Sequence, residues 1–239
     1  MNAALELRDV HASYGPFRAL FGVSFSVPTA GVVALLGANG SGKTTCARAA
    51  SGLVRATSGS VFVNGRDCTG LRTFEFARQG VVHVPEGRSV FASLSVAENL
   101  ELALRQRHKG SLQQRVEAAY ELFPKLGERR GQLAGTLSGG EQRMLALARA
   151  VADTPTVLIA DELSLGLAPI IVDEVYATLQ TIRRTGTAIL VVEQHVGHAL
   201  GIADDVVVLE RGAVVYDGPV GDLPDLSALT LHTDAGTTG

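Results

Sequence analysis

Three glycines, Gly37, Gly40 and Gly42, bracket a short run that closes on Lys43-Thr44, a pattern suited to holding polyphosphate. Polyphosphate carries several negative charges, so its cradle needs backbone N–H groups converging without side chains in the way. The stretch Gly37-Ala38-Asn39-Gly40-Ser41-Gly42-Lys43-Thr44 permits that curvature, and a helix after it adds its positive end. Lys43 would bridge the β- and γ-phosphates, Thr44 would ligate Mg2+, and Thr45 completes the set. An ordinary glycine-rich turn is the plainer alternative. The apolar run before the loop, the helical run after it and the Gly-Lys-Thr close argue against it.

A second constellation lies at Thr156-Val157-Leu158-Ile159-Ala160-Asp161-Glu162, where an apolar strand delivers two carboxylates to its C-terminal end. Ligands of open α/β sheets sit at such ends. Asp161 is expected to hold Mg2+ through water, and Glu162 to orient and polarise an attacking water. Two solvated acids closing a strand are the bland alternative.

The third is Leu137-Ser138-Gly139-Gly140-Glu141-Gln142. Serine followed three residues later by glutamate is a capping box and predicts a helix running to about Ala152. Capping alone leaves the glycines unexplained, since each costs about 1 kcal/mol relative to alanine in a helix. Their presence suggests close approach of another molecule, such as a γ-phosphate at the helix N-terminus.

Together, the phosphate loop and Leu-Ser-Gly-Gly-Glu-Gln resemble the ATP-binding-cassette (ABC) superfamily. That resemblance implies two chains closing head to tail, each ATP lying between one chain's loop and the other's Ser138-Gly139-Gly140. It also implies that Tyr14, in His11-Ala12-Ser13-Tyr14-Gly15, stacks on adenine; a surface-loop role for Tyr14 stays open, and Phe17 is the weaker competitor. The family's glutamine after the fourth core strand is replaced by Glu86 in Val84-Pro85-Glu86-Gly87-Arg88, a carboxylate that can also ligate a hard cation. Where the family carries a histidine against the γ-phosphate, the register falls on Gln194, with His195 one place late as the alternative. A glutamine can hydrogen-bond there but carries no proton. Leu163 stands where proline is common, and Ser164-Leu165-Gly166-Leu167-Ala168-Pro169 lacks the usual aspartate.

Val-Pro-Glu-Gly-Arg, Ser-Leu-Gly-Leu-Ala-Pro and Val-Glu-Gln together look like the shorter ATPase of branched-chain amino-acid importers, with urea and amide importers sharing the pattern. The resemblance covers about Leu5 to Pro219. It implies transmembrane permease subunits, a second ATPase subunit (a copy or a paralogue), an external solute-binding protein and a place on the cytoplasmic face of the plasma membrane.

The elements that must position these residues read as an α/β fold: a P-loop NTPase (RecA-like) core with a mostly parallel sheet, an N-terminal antiparallel β subdomain and an inserted helical subdomain. The expected layout is one domain over 1–219, with 1–85 and 151–219 as the core, 86–150 as the helical insertion and 220–239 as a tail that frays. Alternating runs such as Leu5 to Val10 predict edge-type antiparallel strands, and Val32 to Leu36 a buried parallel strand. From about Glu86 to Ala150 the pattern reads as helical, including a run over Leu112 to Leu126.

Hydrophobic residues make up 46% of 239, enough for a sizeable core. The longest apolar runs are strand-length, well short of the roughly 20 residues that cross a bilayer, and the N-terminus lacks a signal-peptide layout. A net charge of −3 gives no electrostatic case for nucleic acid. Cys46 and Cys68 lack metal-ligand spacing and read as reduced packing thiols. DNA-repair and chromosome ATPases would need a long coiled coil within the cassette, and only about 50 residues separate Glu86 from Leu137, without heptads. Ribosome-associated factors join two cassettes, and a P-loop kinase leaves Ser-Gly-Gly unexplained.

Overall fold

The computed structural model describes residues 2–87, 89–104, 111–152, 154–194 and 196–224. Strands β1 (Ala3–Tyr14) and β2 (Phe17–Pro28) pair as an antiparallel hairpin closed by Gly15-Pro16, with Tyr14 opposite Phe17. β3 (Val32–Leu36) leads into helix α1 (Lys43–Ala50); β4 (Ser58–Val63), β5 (Arg66–Asp67), α2 (Thr73–Arg78) and β6 (Val81–Val84) follow. Then come the helices α3 (Val96–Leu104), α4 (Leu112–Leu122), α5 (Pro124–Gly127) and α6 (Gly139–Val151). The chain returns through β7 (Val157–Asp161), α7 (Pro169–Arg184), β8 (Ala188–Glu193), α8 (Val196–Leu200), β9 (Asp205–Glu210) and β10 (Ala213–Pro219).

The strands form two sheets. The smaller has the order β2-β1-β4-β5 and is antiparallel; the larger has the order β10-β9-β3-β8-β7-β6 and is parallel except for β10. All residues of β3, β7 and β8 are buried, as expected where both faces of a parallel sheet are covered. Alternation then divides the apolar interior. Val32, Ala34 and Leu36 pack with α3, α4, α6 and α7 on one face, and Val33 and Leu35 with α1 and the antiparallel sheet on the other. Cys46 and Cys68 are free thiols on that second side, and burial pushes the Cys46 thiol up to about 12. Among the described residues no helix is long and apolar enough to cross a membrane.

Three expectations need correction. β1 is not an edge strand: β4 covers its free side, placing Val63 opposite Leu5 and Val61 opposite Leu7 in the same core. The helical pattern starts at Val96 rather than near Glu86, and the intervening segment has its own polar scaffold. Buried Asn99 accepts from the Phe91 N–H (2.9 Å) and donates to the Phe91, Leu94 and Ser95 carbonyls. The run over Leu112 to Leu126 is two helices, because Pro124 cannot donate within a helix but fits the first position of a new one. Of the tail, residues 225–239 lie outside the described residues.

Candidate active site

A cavity of about 480 Å³ opens where β3 meets α1. Asn39, Gly40, Gly42, Lys43, Thr44, Thr45 and Glu162 line it, so the glycine-rich loop and the second acid of the pair share one cavity. Arg18, Ala19, Phe21 and Arg211 line it too. None of these four was foreseen, because they come from β2 and the β9–β10 turn, far from the loop in sequence.

The loop's shape requires glycine for two separate reasons. At Gly37 a Cβ would fall 2.4 Å from the Leu209 carbonyl and from Ser41 Oγ, so no side chain fits. At Gly40 space is open, but φ is +79°, which L side chains rarely adopt. From outside, the Gly212 N–H donates to the Ser41 carbonyl (2.7 Å), and the Phe21 N–H donates to the Gly212 carbonyl (2.8 Å). The antiparallel sheet is thus joined to the loop through one turn.

Lys43 is folded over its own loop. Its ammonium donates to the Gly37 carbonyl (2.8 Å) and the Ala38 carbonyl (3.2 Å) and lies 3.9 Å from Glu162 Oε1. Burial lowers its pKa, while the Glu162, Asp161 and Glu193 carboxylates oppose that shift. Asp161 is buried, its Oδ1 has no hydrogen-bond partner among the described residues, and its Oδ2 lies 3.7 Å from His83 Nε2. The other nitrogen of that imidazole, Nδ1, is 3.0 Å from Ser51 Oγ at the end of α1. Glu162 has φ +47°, a strained conformation for a non-glycine residue, and its N–H donates to the Val192 carbonyl (2.9 Å). Gln194 is half-buried just past β8, whereas His195 lies outside the described residues. Glu86 is exposed beyond β6, and the Arg143 guanidinium donates to the next carbonyl, that of Gly87 (2.7 Å).

Ser138, Gly139 and Gly140 do not line this cavity, nor does Tyr14, which is exposed at the end of β1. The capping box at α6 is formed: Ser138 Oγ accepts from the Glu141 N–H (3.3 Å), and Glu141 Oε2 accepts from the Ser138 N–H (2.9 Å). For Gly140 the chain itself also supplies a reason for glycine. A Cβ there would meet Ile171 Cγ2 at 2.5 Å, so α7 of the same chain explains it. Gly139 differs: it is exposed, and its nearest neighbour would be Leu167 Cδ2 at an ordinary 3.8 Å.

The sequence model for ABC transporters matches residues 20–164, which span both the loop and the acidic pair. The chain belongs to the ABC transporter family. It is an ATP-binding cassette, an ATPase whose hydrolysis is coupled to transport. Among curated ABC proteins it is 42% identical to the high-affinity branched-chain amino acid transport ATP-binding protein BraG of Pseudomonas aeruginosa, covering 88% of this chain and 91% of that one. It is 34% identical to the lipopolysaccharide export system ATP-binding protein LptB of Acidithiobacillus ferridurans, covering 94% of each. The fold matches an ATP-binding cassette of an ABC transporter solved in its ADP conformation. That match has a TM-score of 0.82, 26% identity and coverage of 92% and 91% of the two chains.

Proposed function

We propose that this cassette is the ATPase subunit of an importer for branched-chain or similar hydrophobic amino acids. The identity to BraG exceeds that to LptB, and this supports import over export. Urea or amide import is the second reading, since the resemblance carried by Val-Pro-Glu-Gly-Arg, Ser-Leu-Gly-Leu-Ala-Pro and Val-Glu-Gln extends to both importer classes. Permease subunits, a second ATPase subunit and, more remotely, an external solute-binding protein are its partners, with the cassette peripheral on the cytoplasmic face of the membrane. Residues 86–150 would act as the inserted unit, with the exposed Phe91 facing a permease.

The observation that carries the chemistry is the meeting of Lys43, Thr44 and Glu162 in one cavity, with the unpartnered Asp161 oxygen among the same elements. A buried carboxylate oxygen without a donor is costly, and a divalent cation relieves that cost. Thr44 and Asp161 would hold Mg2+, with Glu86 as a further ligand, and the ion would supply charge neutralisation to the bound polyphosphate. The loop amides from Gly37 to Thr45 hold the phosphates, and Lys43 releases its own loop carbonyls to bind them. Tyr14 stacks on the adenine. Glu162 holds the attacking water and accepts its proton, while Gln194, or His195, contacts the γ-phosphate. Ser138 and Gly139, with Gly140 shaping the turn, contact the ATP of a second subunit.

Glu162→Gln tests the base. Turnover should fall at least about 100-fold with ATP binding retained, in the usual range for a lost general base. Normal turnover in that variant would remove Glu162 from the mechanism. Uptake of labelled leucine against urea into vesicles holding the assembled transporter separates the two solute readings.

A further inference from the structure

We propose that Glu193 is a positioning residue for hydrolysis, fixing the segment that carries Glu162. The proposal rests on Glu162 as the residue that handles the attacking water. Glu193 is the last residue of β8 and is 1% exposed, an unusual place for a carboxylate with no part in binding phosphate. Three donors converge on it, two from the loop between β7 and α7 and one from α7. The Ser164 N–H donates to Oε1 (3.1 Å), the Ser164 hydroxyl to Oε2 (2.9 Å), and the Tyr176 hydroxyl of α7 to Oε1 (3.2 Å). Arg143 of α6 is near enough for the Glu193 charge to oppose the burial that lowers the guanidinium's pKa.

The strain at Glu162 supplies the reason. A non-glycine residue at φ +47° persists only where its surroundings over-determine it. Two consecutive residues of β8 do so here. Val192 accepts the Glu162 N–H, and Glu193 takes both donors of Ser164, two residues further on. Glu162 is thereby bracketed from one strand end, and Tyr176 braces the far side of the clamp. Glu193 does not line the cavity and reaches Lys43 only through its charge, whereas its direct hydrogen bonds go to the segment just after Glu162.

The test uses the full chain and four variants: Glu193→Ala, Ser164→Ala, Ser164→Thr and Tyr176→Phe. Glu193→Ala should lower kcat about 100-fold, the scale expected for a reacting group displaced by about 1 Å. KM for ATP and the calorimetric affinity for ADP should stay within about twofold, a split that general loosening of the fold would not give. Backbone amides of residues 162–168 should exchange faster in nucleotide-free Glu193→Ala. Ser164→Ala should lose about tenfold in kcat, Ser164→Thr should restore it, and Ser164→Ala should add nothing in the Glu193→Ala background. If Glu193→Ala does not fold, Ser164→Ala and Tyr176→Phe carry the same test. Unchanged exchange, or faster exchange with kcat intact, overturns the positioning role; so does loss of ADP affinity in step with kcat. These outcomes are distinct from failure of Glu162 as base, which shows in Glu162→Gln and leaves the exchange of residues 162–168 in Glu193→Ala unaffected.

Discussion

Glycine stands at the start of both α1 and α6, as the N-cap of the first and the first helical residue of the second, and the two N-termini are built differently. At α1 the N-cap is Gly42, with no side chain capping the first turn. At α6 the N-cap is Ser138, and its hydroxyl is already committed to the Glu141 N–H. The first leaves its amide donors for a ligand inside a cavity of its own chain. The second is internally satisfied and presents an exposed Gly139 outward. Under the proposed function, α1 would hold a polyphosphate within one copy, and α6 would contribute only when a second copy carries a ligand to it. A division between what one copy binds and what two copies hydrolyse would follow from this difference.

The sharpest way to break that contrast is at the two ends themselves. Lys43→Ala should abolish ATP retention and reduce turnover by about 100-fold or more, because Lys43 carries the buried positive charge seated on the loop itself. Gly139→Glu should leave ADP affinity of the single chain unchanged but cut turnover by about tenfold or more, by placing a like charge against a partner's phosphates. If Gly139→Glu weakened ADP binding as strongly as Lys43→Ala, the two helix ends would be one site and the contrast would fail. Gly140→Ala separates the adjacent glycines. Its methyl would press on Ile171 Cγ2, so urea denaturation should show a loss of about 1–3 kcal/mol, with partial recovery in Gly140→Ala/Ile171→Ala, which removes that methyl.

The smallest effect concerns proton linkage at α1. Burial lowers the Lys43 pKa, so the unfolded chain binds this proton more tightly. The nucleotide-free protein should then gain stability as pH rises through the lowered value toward 10.5, and Lys43→Met should flatten that rise. Denaturation midpoints of both proteins between pH 8 and about 10 provide the comparison. A steeper rise in the variant would contradict the sign.

The parallel core was legible because β3, β7 and β8 are unbroken apolar runs next to polar motifs. Helix α7 was equally legible in principle: Val172, Val175, Tyr176, Leu179 and Ile182 recur at helical spacing and are all buried. The Glu193 clamp is different. Its partners lie 29 and 17 residues away, and no local pattern announces that three hydroxyl or amide donors will meet there. The same holds for Asn99, Arg143 and Arg149, which pin the segment after β6 by donating to the carbonyls of Phe91, Gly87 and Ser89. Spacing reveals which residues share a face of one element, and long-range polar contacts emerge only when elements are assembled.

The turn at Gly212 has one more effect. Its φ is +80°, and a Cβ there would lie 2.3 Å from the Ala19 carbonyl, so the outer sheet and the Ser41 backbone are braced against each other with no slack. Tilting that sheet necessarily drags the phosphate cradle with it. Alterations in the first hairpin, remote from any phosphate oxygen, can thus detune the grip on nucleotide, as misaligning a camera mount blurs a sound lens.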